Sequence, residues 1–112
     1  MDRTFIYFKV FEKRWEELGL NDNDLTALER FILSNPEAGD MIQGTGGLRK
    51  LRYSLPDRGK SGGVRVLYVD FATFEQTIFI NVYAKGKQDT LTHNEKKMYR
   101  SIINEMLEDL RK

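Results

Sequence analysis

The chain has 112 residues, 40% hydrophobic and 31% charged, with seven Phe, five Tyr and one Trp. That length suits one domain, 1–112, and the aromatic content can offset the entropy of ordering, which excludes a disordered chain. Cysteine is absent, which excludes disulfide frameworks and thiolate metal sites, and no stretch approaches the roughly 18 apolar residues of a membrane span.

Taken in chain order, MDRTFIYFKVFEKRW begins with an apolar run broken by Lys9. It is too short and too charged for a signal sequence, so a cytoplasmic protein is expected. Arg3 to Val10 is β-branched and aromatic and reads as a strand, and Phe11 to Leu18 as a short helix stopped near Gly19. Asn21 or Asp22 caps a second helix, whose stripe is Leu25, Leu28, Phe31 and Ile32. Asn35-Pro36 ends it, because the residue before proline resists the helical region. Residues 37–47 read as a loop. Strands are expected at Leu48–Ser54, Gly63–Phe71 and Thr77–Ala84, and their short connections imply antiparallel neighbours. Thr92 and Glu95 form a capping box for a final helix, whose apolar stripe is Tyr99, Ile102, Ile103, Met106, Leu107 and Leu110. The order β-α-α-β-β-β-α suggests an α+β domain, a small and mainly antiparallel sheet packed by helices.

Charge is nearly balanced overall, with 18 basic and 17 acidic residues, but it is unevenly placed. Between Leu48 and Tyr68 lie Arg49, Lys50, Arg52, Arg58, Lys60 and Arg65 against one carboxylate, Asp57. The third strand ends Val82-Tyr83-Ala84-Lys85-Gly86-Lys87, adding an aromatic and two cations. Alternation puts Lys50 and Arg52 on one face of their strand and Arg49 on the other, with Leu51 and Tyr53. Arg65 interrupts an apolar strand between Val64 and Val66. A charge there is costly unless it sits at an edge, a cleft mouth or beside a counter-charge. Each of these cations alone reads best as a snorkelling side chain on a solvated face. Three neighbouring strands contributing cations together read as a polyanion site, and nucleic acid is the commonest cellular polyanion.

Other motifs carry less. Gly59-Lys60-Ser61 resembles the end of a P-loop, but the pattern needs a glycine where Ser54 stands and a helix where Gly63–Tyr68 reads as a strand. Gln43-Gly44-Thr45-Gly46-Gly47 reads as a turn entering a strand, with a phosphate-cradling nest as the alternative. The single histidine, His93, falls in the first turn of the last helix with no Cys or second His beside it, and reads as a surface residue. Asp22-Asn23-Asp24 lacks the spacing of a calcium loop and reads as helix-start chemistry. Neither a metal nor another cofactor is expected, and one His so placed supports no Ser-His-Asp set.

The cationic cluster has a chemistry open to it. Cleaving RNA without a metal requires deprotonating a 2′-OH, stabilising a dianionic phosphorane and protonating the leaving 5′-oxygen. Arg offers phosphate a planar fork that stays charged, and a lysine crowded by other cations gives up its proton more readily. Tyr stacks on bases or donates a proton.

Three blocks resemble a known family: residues 39–52 (GDMIQGTGGLRKLR), residues 59–68 (GKSGGVRVLY) and Val82-Tyr83-Ala84-Lys85. They are similar to the RelE/ParE superfamily of type II toxins, specifically its HigB-like branch. The resemblance spans essentially the whole chain and includes the element order. It implies a toxin that cleaves mRNA in the ribosomal A site and is neutralised by a cognate antitoxin, in that branch commonly a helix-turn-helix DNA-binding protein. Lys50 and Arg52 match the cationic pair of the family's second strand, where a general base is proposed. Arg65 matches an arginine that binds phosphate in the transition state. Lys85 falls where RelE itself has another arginine. RelE also has a tyrosine shortly after that position, where this chain has Leu91, so Tyr83, Tyr68 or Lys85 would have to supply the general acid. Arg49, Arg58, Lys60, Tyr68 and Lys87 are expected to hold RNA or the ribosome. The other readings are a ParE-type gyrase inhibitor without nuclease activity and a non-catalytic ribosome- or RNA-binding module.

Overall fold

The computed structural model describes residues 2–55, 63–86 and 90–112. Strand β1 (Thr4–Tyr7) runs directly into helix α1 (Lys9–Glu17), and α2 (Asp22–Ser34) follows. Then come β2 (Asp40–Met41), β3 (Arg49–Tyr53), β4 (Val64–Phe71), β5 (Gln76–Ala84) and α3 (His93–Arg111). The strands form one sheet in the order β1-β5-β4-β3-β2, antiparallel except where β1 pairs with β5. This is the expected α+β architecture. Among the described residues, no helix is long and apolar enough to cross a membrane.

The helix starts follow the local chemistry of the sequence. Asn21, not Asp22, caps α2: its Oδ1 accepts from Asp24 N at 2.9 Å, while Asn21 N donates to Asp24 Oδ2 at 3.0 Å. Thr92 and Glu95 make the anticipated reciprocal box at α3, at 3.1 and 2.9 Å. Helix α1 begins two residues earlier than its pattern suggests. Phe8 N donates to Phe79 O at 2.9 Å, so Phe8 ends the strand pairing and starts the helix at once. A two-residue strand, β2, lies inside the expected loop. A short 3₁₀ turn (Ala72–Phe74) joins β4 to β5.

Period-two alternation sorts the sheet into two faces, each with its own core. On one face Leu51, Tyr53, Val64, Val66, Tyr68, Phe79 and Val82 pack against Phe11 and Trp15 of α1 and Leu28 and Ile32 of α2. Phe79 is the hub, with ring centroids 5.2 Å from Phe11, 5.6 Å from Tyr7 and 5.7 Å from Phe5. On the other face Leu48, Leu67, Val69, Phe71, Ile78 and Ile80 pack under Tyr99 and Ile103 of α3. The sheet is therefore the middle layer, with α1 and α2 on one side and α3 on the other. The α1/α2 side is locked at one corner by Arg3, whose guanidinium donates to both oxygens of Asp70 at 2.8 and 3.0 Å.

Candidate functional site

The antiparallel register sets the site. Arg52 of β3 lies directly opposite Arg65 of β4, and Arg65 lies directly opposite Tyr83 of β5. Directly opposed residues share a face with Cβ atoms about 4.5–5.5 Å apart, so these three side chains form one row across three strands. In the next row along the strands, Lys50 opposes Leu67, and Leu67 opposes Asn81. Leu67 and Tyr83 belong to the core beneath α3, which places both rows on the α3 face. Lys85 lies just past the end of β5, exposed.

The row is electrostatically loaded. Arg65 is 8% exposed, in a strand whose other residues are buried and apolar apart from the half-buried Asp70 near its far end. Arg52 and Arg65, directly opposed, set two guanidinium groups side by side on one face, and a phosphate suits the planar fork of arginine. Arg52 and Lys85 are exposed and Lys50 half-buried, so the cluster grades from a buried centre at Arg65 to an open rim.

The backbone at this end of the sheet has a specific requirement. Gly63, the residue before β4, has φ +67°, and a Cβ there would run into the carbonyl oxygen of Tyr53. Glycine admits both the left-handed conformation and the close approach that start the β3–β4 ladder next to Arg52 and Arg65.

The remaining sequence candidates fall in different places. Arg49 sits on the opposite face, as alternation anticipates, and its Nη1 donates to Gly39 O at 2.7 Å and Glu37 O at 3.3 Å. Tyr68 is fully buried on that same face, donating to Pro36 O at 2.9 Å and accepting from Gly39 N at 3.1 Å. Burial holds its phenol above the ordinary tyrosine range. Both side chains fasten residues 36–39 to the sheet, and neither stands with Lys50, Arg52 and Arg65. Tyr83 does stand in the row, but it is 6% exposed and packs in the α3-side core. Leu91 joins that core at 7% exposure, so its position is a packing one. Arg58, Lys60 and Lys87 lie outside the described residues.

Sequence reasoning missed Asn81. It is 9% exposed, and β5 is irregular there: Leu67 pairs with Asn81 while Tyr68 pairs with Phe79, leaving Ile80 as an extra residue. Bulges redirect side chains beside sites. Asn81 Oδ1 accepts from Val82 N at 2.9 Å and from Arg14 Nη1 at 3.3 Å, and its Nδ2 donates to Tyr99 Oη at 3.3 Å. One amide thus ties α1, β5 and α3 together two residues before Tyr83. A lone Asn in an apolar strand, INVYA, is the signal for it. Among the described residues, no group of three His, Cys, Asp or Glu side chains is placed to hold a metal ion.

The geometry defines a small three-layer α+β fold with a cationic row at one end of its sheet. The chain matches the family model for the RelE toxin of the RelE / RelB toxin-antitoxin system, over residues 3–111. The chain belongs to that family. Its membership is consistent with the role of toxin in a toxin–antitoxin pair and implies, in general terms, an antitoxin and ribosome or mRNA as partners.

Proposed function

We propose that the chain, acting as one domain, is the toxin of a type II pair and a ribosome-dependent endoribonuclease of the HigB-like branch, with a helix-turn-helix antitoxin and a cytoplasmic site of action. The observation that carries this reading is the row Arg52–Arg65–Tyr83 with Lys50 one row away, on a single face, in a RelE-family chain. In the proposed reaction a general base, Lys50 by its place beside Arg52, takes the proton of a 2′-OH. The 2′-oxygen attacks the adjacent phosphorus, and the bond from phosphorus to the 5′-oxygen breaks. The leaving oxygen takes a proton, and a 2′,3′-cyclic phosphate and a 5′-OH end remain. Arg65 and Arg52 carry the charge that builds on the phosphorane oxygens, where fixed donors act most strongly. Lys85 adds a point charge in place of a fork. For the general acid, exposure favours Lys85 over Tyr83, and the occupied hydroxyl of Tyr68 on the far face argues against that residue.

Expressing the chain without an antitoxin and mapping mRNA 5′ ends tests the reading. Codon-phased cleavage within translated frames is expected. Growth arrest without such cleavage would remove the nuclease, and inhibition of supercoiling by purified gyrase would put a ParE-type activity in its place.

A further inference from the structure

The two layers that flank the sheet are unequal. Helices pack about 8–10 Å apart and strands lie about 4.8 Å apart, so a five-stranded sheet has room for two helices side by side on each face. One face carries α1 and α2, and the other carries α3 alone. Beside α3, the side toward β3 and β2 is taken by residues 42–48. Ile42 and Leu48 join the core beneath the helix, and the Cβ position of Gly46 lies 3.8 Å from Ile103 Cγ2. The side toward β1 has a groove instead.

Near the start of α3 the groove is a cleft of about 320 Å³, with Phe8, Val10 and Ile80 facing Met98 and Ile102. Arg14, Asn81, Glu95 and Tyr99 also line it, and their polar groups are engaged: Asn81 bonds Arg14 and Tyr99, and Glu95 accepts from Thr92 N. Near the end of α3 a second cleft, of about 200 Å³, lies between Ile6 and Ile78 on one side and Met106 and Leu110 on the other. Small-molecule sites run from about 300 to 1,000 Å³, so clefts of these sizes suit the side chains of a docked segment better. Met98, Ile102, Met106 and Leu110 recur every four residues, and so wall both clefts over about 18 Å of helix. Of the five large hydrophobics left exposed among the described residues, three line this groove: Ile6 at 39%, Val10 at 40% and Met98 at 48%. Apolar residues exposed singly are ordinary, whereas a contiguous set marks a contact surface.

We propose that this groove receives an amphipathic helix of the antitoxin, laid antiparallel to α3 as the second helix of its layer. The choice of partner rests on the toxin reading; the groove and its polarity do not. Three helical turns span about 18 Å, and an i, i+4, i+7 stripe places apolar side chains in both clefts. A strand added to the free edge of β1 would find only four residues, about 13 Å, before α1 begins. Direction follows from charge. At the near end Arg14 lines the groove, and Lys13 stands beside it three residues after Val10, against the capping Glu95. At the far end are Asp109, Glu105 on the same flank by its spacing from Ile102 and Asp109, and Glu75 next to Gln76. Their one close counter-charge is Lys112, 3.3 Å from Asp109 and exposed with it. A helix that starts with Lys or Arg over the acidic end and finishes with Asp or Glu near Arg14 matches both ends and its own dipole.

The test uses the full chain with methyl-labelled methionines and a synthetic stapled helix of about fourteen residues. The peptide carries a leucine stripe, arginines in its first turn and glutamates in its last. Met98 and Met106 line the groove and Met41 lies on β2, at the opposite edge of the sheet, so their methyl resonances report where the peptide sits. Shifts at Met98 and Met106 with Met41 unmoved are expected. By calorimetry, Val10→Ser/Met98→Gln should bind about tenfold more weakly or worse and Met41→Gln within twofold of the parent, with thermal melts confirming that each folds. Glu105→Lys/Asp109→Lys should prefer a peptide with its two charged turns exchanged. In cells, Val10→Ser/Met98→Gln should escape the antitoxin encoded beside the chain's own gene, while Met41→Gln stays neutralised. Absence of binding, a shift at Met41, a groove variant within twofold of the parent, or equal affinity of the parent for both peptides overturns the proposal. So do concentration-dependent shifts of Met98 and Met106 without peptide, which would put a second copy in the groove. A chain that takes the peptide as expected yet cleaves no mRNA on ribosomes retires the nuclease reading and keeps the docking site. Cleavage by a chain whose groove takes no peptide does the reverse.

Discussion

Replacing Asp70 by Ala should be among the most damaging single changes available, and its cost follows from what the carboxylate holds. Asp70 Oδ1 accepts from Arg3 Nε at 2.8 Å and from Thr77 Oγ1 at 2.6 Å, and Oδ2 accepts from Arg3 Nη2 at 3.0 Å. The side chains of Arg3 and Asp70 are 4% and 6% exposed. The hydrogen bond that Arg3 donates to Asp70 is the leading reason that it holds its proton more tightly than a free guanidinium. Removing the carboxylate leaves the Arg3 guanidinium with only its bond to Asp2 O at 2.8 Å and the attraction of Glu75, at a cost of about 3 kcal/mol, the low end for breaking a buried pair. Replacing both with apolar residues, Arg3→Met with Asp70→Leu, removes the charge together with its counter-charge and should recover most of that loss. Urea denaturation read by tryptophan fluorescence, through Trp15, gives each free energy. Asp70 is five residues along β4 from Arg65, about 16 Å, so RNA cleavage by the folded variant should stay within a few-fold of the parent. A cost below about 1 kcal/mol for Asp70→Ala, or a double variant no better than the single one, would refute the reasoning.

Three further outcomes follow from the same geometry. Burial raises the phenol of Tyr68 above its unfolded value near 10, so its contribution to stability is complete below that pH and is lost as pH climbs toward the folded value. Alkaline denaturation of Tyr68→Phe should accordingly be less steep than that of the parent, with phenolate absorbance as the check. Asn81→Ala leaves the donor of Val82 N and the hydroxyl of Tyr99 without their partner, and should lower stability by about 1–3 kcal/mol in chemical denaturation. Gly63→Ala combines a left-handed φ with a collision against the Tyr53 carbonyl, and should cost more than about 2 kcal/mol on the same assay.

Much of the fold can be read from local pattern. The alternation of Arg49-Lys50-Leu51-Arg52-Tyr53 assigns Lys50 and Arg52 to one face and Arg49 to the other, and the pairing of β3 with β4 agrees. The strand that follows Gly63 rules out a phosphate loop at Lys60 on grounds the structure shares. What pattern leaves out is long-range or very short. The parallel pairing of β1 with β5 joins residues more than seventy positions apart, and no local signal encodes it. Strand β2 is two residues long, too short for any alternation. Tyr68 reads as an aromatic available for stacking until its buried hydroxyl, bonded to Pro36 and Gly39, places it under residues 36–39.

The measurement that bears most directly on the central claim is single-turnover cleavage of mRNA on purified programmed ribosomes by the parent and by Arg65→Ala, with ribosome affinity measured alongside. If Arg65 stabilises the phosphorane, the rate should fall by about 10²–10³-fold, the usual effect of removing one such donor. Affinity for the ribosome, spread over many contacts, should change only a few-fold. Parent-like cleavage by Arg65→Ala, or a loss of cleavage fully accounted for by lost ribosome binding, would contradict the assignment of the Arg52–Arg65–Tyr83 row as the catalytic centre.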